Sequence, residues 1–171
     1  MNAGTPQGWF ADVVEKVELM DMNGNIKEIH VYPEMFKYRD FPLAHKQLII
    51  SGTFSFHSAS PFVIQEKINA MKDQRKNQPL EMPNIGSVFK NPEGNYAGVL
   101  IEKAGLKGLT IGEAQISEKH ANFIVNLGNA KTKDAIALIQ KAQKEVKSQF
   151  NVDLEPEVHC IGDCFSEIDD E

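Results

Sequence analysis

The sequence predicts an α+β fold for this chain of 171 residues, with a boundary near Gln78. Three observations support this prediction. The first part of the chain contains short runs rich in Val, Ile and Thr that are bounded by turn residues, a pattern typical of strands. Two longer segments repeat apolar residues at helical spacing. Hydrophobic residues make up 42% of the chain and charged residues 25%, so a packed core is expected.

Composition and charge exclude several classes of protein. The net charge is −6 with Lys and Arg scattered, so no nucleic-acid partner is expected. The sequence contains no apolar run of about 18 residues, so no membrane-spanning helix is expected. The N-terminal MNAGTPQGWF lacks the basic and apolar regions of a secretory signal, so a cytoplasmic location is expected. Cys160 and Cys164 are too few for a zinc site, so two free thiols and no bound metal are predicted.

The first part of the chain is expected to form three strands. Val13 to Met20 and Ile26 to Val31 flank Asn23-Gly24. Asn-Gly between such runs predicts a hairpin in which both turn residues have positive φ. Gln47 to Phe56, which is rich in Ile, Phe and Thr, predicts the third strand.

A helix is predicted to follow, from residue 60 or 61 to about residue 76. Pro79 and Pro83 then bracket a stretch that a regular helix cannot continue through. A domain boundary is therefore expected near Gln78. The apolar residues that recur on one face of the helix are Phe62, Ile64, Ile68 and Met71.

The second part of the chain is predicted to alternate helices with short strands. Gly105 is expected to end a helix over 97–104, because glycine readily adopts the left-handed conformation that ends a helix. The clearest helix spans 132–150, where Thr132 is placed as a cap and Asp134 suits the positive end of the dipole. Its apolar face consists of Ala135, Leu138, Ile139, Ala142, Val146 and Phe150. The expected extended segments are 87–89, 114–117, 122–126 and 154–161.

The segment QPLEMPNIGSVFKNP, over residues 78–92, contains polar residues that a purely structural role explains only in part. Gly86 allows the backbone to come close to a ligand. Ser87, Lys90 and Asn91 follow it within a few residues of turn-rich chain, a spacing suited to binding a phosphorylated sugar. An ordinary polar loop has the same composition, so both interpretations stay open at this point.

Two further polar groups also allow a functional or a structural interpretation. The Arg of Tyr38-Arg39 can clamp a carboxylate with two hydrogen bonds, which Lys cannot copy, or it can lie on the surface. Glu155 and Glu157 are two residues apart on a predicted strand, so they share one face. Pro156 between them indicates a strand edge or end, where the carboxylates are either functional or solvated.

Taken together, these segments resemble one enzyme family. GSVFKNP and SEKHANFIVN are long strings of low degeneracy. The matching strings are MNAG at 1–4, YR at 38–39, QP…P.IGSVFKNP at 78–92, AG.LIE.AGLKG at 97–108, IG.AQISEKHANFIVN at 111–126 and LEPEV..IG at 154–162. The chain is similar over nearly its whole length, and most densely from Gln78 to Gly162, to UDP-N-acetylenolpyruvoylglucosamine reductase, which completes UDP-N-acetylmuramic acid for peptidoglycan.

The resemblance implies a reaction and a set of site residues. In that family NADPH reduces FAD, the flavin passes hydride to the double bond of UDP-N-acetylglucosamine enolpyruvate, and a protein acid supplies a proton. By resemblance Ser87 is that acid, and Arg39 and Glu157 stabilise the aci-carboxylate intermediate. The residues expected at the substrate are Tyr38, Lys90 and Asn91, and those expected at FAD are Asn2 and Gly4.

The resemblance also predicts how the chain divides. Residues 1–77 correspond to the truncated end of the FAD-binding domain, 78–162 to the substrate-binding, catalytic domain, and 163–171 to an acidic tail. Family members are longer, and their N-terminal domain holds the FAD pyrophosphate on a glycine-containing loop. Three explanations of the shorter chain stay open: a gene fragment, a mis-called start, or half of a split enzyme. A separate N-terminal flavin domain is an expected partner. The alternative is a non-catalytic UDP-sugar-binding fragment or an inactive remnant.

The sequence departs from the family pattern at three positions. Phe41 stands where a Ser usually follows Tyr-Arg-x, and Glu113 stands where a second Gly usually follows Ile-Gly. Glu113 places a side chain in a loop whose tolerance depends on backbone φ. His159 replaces an Arg that contacts the flavin side in relatives, so weaker flavin binding is expected.

Overall fold

The computed structural model describes residues 1–5 and 7–162. The chain divides into two compact units, of which the first is Met1–Ile64 and the second begins at Gln65. Each unit has its own hydrophobic core. The predicted α+β fold class is confirmed. The assignment of 1–77 and 78–162 to two family domains stays a prediction.

Unit 1 is built on a three-stranded antiparallel sheet. A short antiparallel pair, β1 (Gly4–Thr5) and β2 (Gly8–Trp9), precedes this sheet. In the sheet, β3 (Val14–Met20) lies at the centre, between β4 (Ile26–His30) and β5 (Leu48–Phe54). The bounds of these three strands agree closely with the predicted ones, because β-branched residues and turn signals mark them clearly.

The connection between β3 and β4 differs from the prediction. Only Gly24 has a positive φ, of 85°, whereas the expected two-residue turn requires one at Asn23 as well. Asp21 closes the connection instead, since its Oδ1 accepts hydrogen bonds from the amides of Asn23 and Asn25 at 2.8 and 2.9 Å. Hydrogen bonds from the Asn25 side chain and then from its backbone lower the pKa of Asp21.

The core of unit 1 packs β3 against the chain that connects β4 to β5. Phe36 stacks on Phe41 with ring centroids 4.3 Å apart. Phe41, the first departure from the family pattern, is therefore a core residue and is only 5% exposed. The buried apolar residues of this core are Val14, Val17, Leu19, Val31 and Phe41.

Helix α1 (Pro61–Gln74) follows β5, and the division between the two units falls within it. Proline at the first position and the Ser60 hydroxyl, which accepts from the Val63 amide at 3.4 Å, mark its start. Its predicted apolar face is exposed rather than packed. Phe62 is 71% exposed, and α1 contributes no buried residue.

Unit 2 is a four-stranded antiparallel sheet packed against two helices. Gly105, with a φ of 76°, follows the first helix as predicted. The elements are β6 (Asn84–Ser87), α2 (Ala97–Lys103), β7 (Thr110–Ile111), β8 (Ala114–Ile116), β9 (Phe123–Asn126) and α3 (Thr132–Phe150). The strand order is β6-β9-β8-β7. The core includes Val88, Ile101, Ile116, Leu138 and Val146.

Helix α3 buries the predicted face but starts differently from the prediction. Thr132 is the first helical residue and does not cap it, because Lys131 occupies the cap position. The Oδ2 atom of Asp134 accepts a hydrogen bond from the Lys131 amide at 2.9 Å. An acidic residue in the first turn thus reaches back to an amide that has no partner within the helix.

The segment after α3 is not the regular strand that the sequence predicts. Pro156 makes only an isolated antiparallel bridge with Phe89. Proline has no amide hydrogen to extend a ladder, which explains the short pairing. Cys160 is disulfide-bonded, so the prediction of a free thiol is wrong there. Cys164 and the predicted acidic tail over 163–171 lie outside the described residues.

Over the part of the chain that the structure describes, no helix is both long enough and apolar enough to cross a membrane.

Candidate active site

Residues 87–90 are held along one edge by Asn122, the residue just before β9. Its backbone hydrogen-bonds Val88, and its side chain hydrogen-bonds Phe89. The Val88 amide donates to the backbone carbonyl of Asn122 at 2.9 Å. The Asn122 carboxamide then pairs with Phe89 as a strand would. Its Oδ1 accepts from the Phe89 amide at 2.9 Å, and its Nδ2 donates to the Phe89 carbonyl at 2.8 Å. Because Asn122 is 5% exposed, both bonds form away from water and hold this backbone firmly.

The other edge of the same segment pairs with residues 155–157. The Val88 carbonyl accepts from the Glu157 amide at 2.8 Å, and the Lys90 amide donates to the Glu155 carbonyl at 2.9 Å. These two bonds flank the bridge between Phe89 and Pro156, and they fix the register of the two stretches. The pairing brings together the backbones of three residues that the resemblance assigns to catalysis or substrate: Ser87, Lys90 and Glu157.

Ser87 lies on exposed chain at the end of β6. It pairs with Phe123 just after an irregularity in the ladder that begins at Asn84. Within that irregularity Gly86 has a φ of 75°, and its amide donates to the Oδ1 atom of Asn84 at 2.9 Å. A Cβ at Gly86 would meet no atom within 4 Å. The backbone conformation therefore favours glycine there, and the space beside Ser87 is open.

Lys90 and Asn91 both have structural partners. The Lys90 ammonium forms an ion pair with Glu155 at 2.5 Å, and its side chain is only 23% exposed. The Oδ1 atom of Asn91 accepts from the amide of Ala97, the first residue of α2, at 3.0 Å. The contact of these two residues with substrate stays a prediction. In this structure Lys90 is held by Glu155, and Asn91 is held by the first residue of α2.

Tyr38 and Arg39 occupy the tip of a tight turn in unit 1. The Lys37 amide donates to the Asp40 carbonyl at 3.0 Å, and the reverse bond is 3.2 Å. Arg39 has a φ of 56°, an uncommon conformation for a residue other than glycine. Its guanidinium carbon lies 5.1 Å from the Tyr38 ring and 5.4 Å from the Trp9 ring. Two aromatic rings thus orient this cation.

Asn2 and Gly4 stabilise the same part of unit 1. The Asn2 Nδ2 donates to the carbonyl of Lys37 at 3.1 Å, and its Oδ1 accepts from the Ala11 amide at 3.0 Å. Asn2 therefore ties the N-terminal residues to the turn that carries the predicted arginine. Gly4 lies under Trp9, because a Cβ there would be 2.1 Å from the indole ring.

Glu113, the second departure from the family pattern, is accommodated by a hydrogen bond. Its Oε2 accepts from the amide of Asn129 at 2.6 Å. A Cβ at Gly128 would lie 2.7 Å from the same oxygen, so a side chain at residue 128 would displace the carboxylate from this position. Positive φ falls on Gly112, at 55°, and not on Glu113, so the side chain at 113 adds no backbone strain.

Sequence reasoning missed His120 and Asn122, although both lie in the long string SEKHANFIVN. The Nδ1 atom of His120 accepts a hydrogen bond from the Asn122 amide at 3.2 Å, which places the ring proton on Nε2. The ring packs edge-on against Phe123, and a Cβ at Gly98 would lie 3.0 Å from its Cε1. Burial lowers the pKa of His120, so the neutral ring that Asn122 requires is favoured.

A cavity of about 910 Å³ opens beside this segment, between β6, β9, the start of α3 and residues 156–161. Its lining includes Lys131 and Thr132 at the positive end of α3, and His159, the third departure from the family pattern. The side chains of Ser87 and Glu157 do not line it. Across residues 1–5 and 7–162, no group of His, Cys, Asp or Glu is arranged to hold a metal ion.

The predicted residues therefore fall into two sets, one in each unit. Unit 2 brings together Ser87, Lys90, Asn91 and Glu157 on two short stretches of backbone that pair with each other. Unit 1 holds Asn2, Gly4, Tyr38 and Arg39 around one tight turn.

Known proteins resemble this chain over most of its length. Residues 78–161 match the family model described as UDP-N-acetylenolpyruvoylglucosamine reductase, C-terminal domain. Proteins named UDP-N-acetylenolpyruvoylglucosamine reductase match 95% of the chain, with 44% identity in Caldanaerobacter subterraneus and 42% in Clostridium botulinum. The chain spans about half the length of these curated relatives, 55% and 54% respectively.

A solved structure has the same fold. The crystal structure of UDP-N-acetylenolpyruvylglucosamine reductase from Thermus caldophilus aligns with a TM-score of 0.81 and 36% identity. The alignment covers 93% of this chain and 57% of that one. The likeness therefore extends through both units and is not limited to the strings that the sequence shares. Residues 78–161 belong to the C-terminal domain of the UDP-N-acetylenolpyruvoylglucosamine reductase family, and the chain as a whole resembles members of that family.

Proposed function

We propose that this chain provides the substrate-binding and proton-donating part of a reductase in peptidoglycan precursor synthesis in the cytoplasm. The reaction is reduction of UDP-N-acetylglucosamine enolpyruvate to UDP-N-acetylmuramate by NADPH through FAD. The main support is that Ser87 and Glu157 lie along adjacent, hydrogen-bonded stretches of chain within the family's C-terminal domain. The reductase names of the relatives point to the same activity.

In this proposal the chain's own residues handle the proton and the developing charge. Hydride adds to one carbon of the enolpyruvyl double bond, and Ser87 donates the proton to its neighbour. A serine hydroxyl is a weak acid, so it serves only when it is held close to a strongly basic carbon. Arg39, oriented by two rings, and Glu157 stabilise the aci-carboxylate, the arginine by opposite charge. Tyr38, Lys90 and Asn91 bind the remainder of the substrate.

The described residues do not by themselves fit a flavin dinucleotide. Both ends of the Asn2 carboxamide are engaged, and the Trp9 ring covers Gly4. The sequence also lacks a glycine-rich phosphate loop of the G-x-G-x-x-G type. FAD, which supplies hydride when bound and reduced by NADPH, is therefore assigned mainly to a separate N-terminal flavin domain as partner.

Co-expression with the N-terminal portion of the Caldanaerobacter relative tests the proposal. The complex should oxidise NADPH in a manner that depends on UDP-N-acetylglucosamine enolpyruvate. Ser87→Ala should abolish reduction of the enolpyruvyl group while NADPH still bleaches the flavin absorption. The control is Ser148→Ala, on the exposed side of α3, which should leave both steps unchanged.

Two results would count against this function. Normal turnover by Ser87→Ala would remove the proton-donor role. Binding of the UDP-sugar without NADPH-dependent turnover, in a complex whose flavin is reducible, would instead support the non-catalytic binding fragment.

A further inference from the structure

Unit 2 contains a cavity that the proposed chemistry does not use. Its volume of about 910 Å³ is within the range typical of sites that bind small organic molecules. Ser87 and Glu157, the residues proposed to act on substrate, do not line it, whereas Pro156 and Val158, on either side of Glu157, do. Because neighbouring residues of an extended stretch point to opposite faces, the cavity lies behind the stretch that carries Glu157.

The wall of this cavity is largely aliphatic. Ile124 of β9 and Ile136 of α3 form part of it, and both are buried. Ile161 also lines it and is 95% exposed, so a large apolar side chain is left in contact with water. Among the described residues that line the cavity there is no Phe, Tyr or Trp. An aromatic ligand would therefore have no ring to stack on, whereas an alkyl chain would cover aliphatic side chains.

The charged side chains of the lining all favour an anion. Lys131, which directly precedes α3, and His159 line the cavity, and both are exposed. No Asp or Glu occurs among the described residues of the lining, although the chain carries a net charge of −6. The first amides of α3 have no partner within the helix, and the helix dipole favours negative charge at this end. A carboxylate fits these groups and a cation does not.

We propose that this cavity binds an aliphatic carboxylate, with the alkyl chain against the isoleucines and the carboxylate at Lys131 and the start of α3. The inference does not rest on the proposed function, because the residues of that function do not line the cavity. A bound alkyl chain packs against Pro156 and Val158, and so stabilises the reverse side of the stretch that pairs with residues 88–90.

Isothermal titration calorimetry of the chain with hexanoate, octanoate and decanoate tests the ligand class. The affinity should rise roughly fourfold with each added methylene group, the factor that burial of one methylene contributes. Decylammonium, which has an alkyl chain of the same length and the opposite charge, should bind at least about fivefold more weakly than decanoate. An affinity that does not rise with chain length would overturn the inference, and so would equal binding of decanoate and decylammonium.

Substitutions test the position of the ligand. Lys131→Met should weaken decanoate binding by about fivefold or more, because a charged hydrogen-bond donor is lost. Lys133→Met is the matched control, since Lys133 is exposed in the first turn of the same helix and does not line the cavity. Ala135→Phe should fill the cavity and prevent binding, with circular dichroism to check that the variant folds. Equal affinities for the two lysine variants would contradict the proposed position.

Hydrogen exchange gives a measurement on the unaltered chain. Decanoate should slow exchange of the amides over 158–161 and leave those of β4 unchanged, and equal exchange rates over 158–161 with and without decanoate would overturn the inference. Two further results would assign the cavity to another occupant. Binding only after removal of residues 163–171 would indicate that the chain's own residues fill it, and loss of binding in the co-expressed complex would indicate the partner portion.

Discussion

The side chain of Asn122 makes the two hydrogen bonds to the Phe89 backbone that a neighbouring strand would otherwise make. Its carboxamide accepts from the Phe89 amide at 2.9 Å and donates to the Phe89 carbonyl at 2.8 Å, beyond the point where β9 begins. Both backbone groups of Phe89 are buried, so without this side chain they would lack a partner on that side. The position of the backbone around Ser87 therefore depends on a residue that is distant in sequence.

Replacing Asn122 by alanine should destabilise the protein by about 2–4 kcal/mol, because two buried backbone groups lose their partners. Urea denaturation followed by circular dichroism measures the change. Asn129→Ala, at an exposed position, is the control and should change stability by less than about 0.5 kcal/mol. A similar free energy of unfolding for both variants would show that water or a shifted backbone replaces the carboxamide.

Stability should fall as the pH falls below 6.5, the ordinary pKa of histidine, because His120 resists protonation in the fold. Burial lowers its folded pKa, so between the two values the unfolded chain binds a proton that the folded chain does not. The slope from this one group is at most about 1.4 kcal/mol per pH unit. His120→Gln, which cannot titrate, should reduce the slope in urea titrations, and an identical slope would exclude His120 as its source.

Two glycines with positive φ should respond differently to alanine. Gly105→Ala should cost about 1 kcal/mol from backbone strain alone, since a Cβ there meets no atom within 4 Å. Gly112→Ala should cost about 2–4 kcal/mol, because its Cβ would also lie 2.3 Å from Asp134, the residue that caps α3. Thermal and urea unfolding compare the two variants, and equal costs would mean that Asp134 moves aside freely.

Lys90→Met should weaken binding of UDP-N-acetylglucosamine enolpyruvate by at least about tenfold, if the ammonium contacts the UDP part as proposed. Isothermal titration calorimetry with the co-expressed complex measures the affinity. Lys119→Met removes another lysine of an ion pair, with Glu81, and serves as the control. Equal affinities for the two variants would remove Lys90 from the substrate site.

Local sequence signals predicted most elements well. The strands over 14–20 and 26–30 and the helices over 97–103 and 132–150 were all expected close to their observed bounds. The errors fall where a hydrogen bond between a nearby side chain and the backbone decides the local geometry. Asp21 changed the form of the hairpin turn, and Asp134 rather than Thr132 caps α3. Neither outcome follows from propensity, because each depends on which of several acceptors reaches an amide.

The candidate site was predicted only in part. The strings GSVFKNP and LEPEV identified Ser87 and Glu157, but nothing in their spacing says that the two segments pair. His120 and Asn122 were missed, since a buried amide and a buried imidazole have no distinctive sequence pattern. The apolar face of α1 was predicted from its periodicity, yet periodicity cannot tell whether anything covers such a face.

The sequence by itself determined the family, the fold class and the residues expected to carry chemistry, because these depend on residue identity and short-range order. The tertiary structure decided which of those residues meet. Ser87 and Glu157 are about 70 residues apart, and their neighbouring positions come from a backbone ladder that forms only when the chain folds. The tertiary structure also showed that every residue of β5 is exposed, since burial is a property of packed elements and not of any one segment.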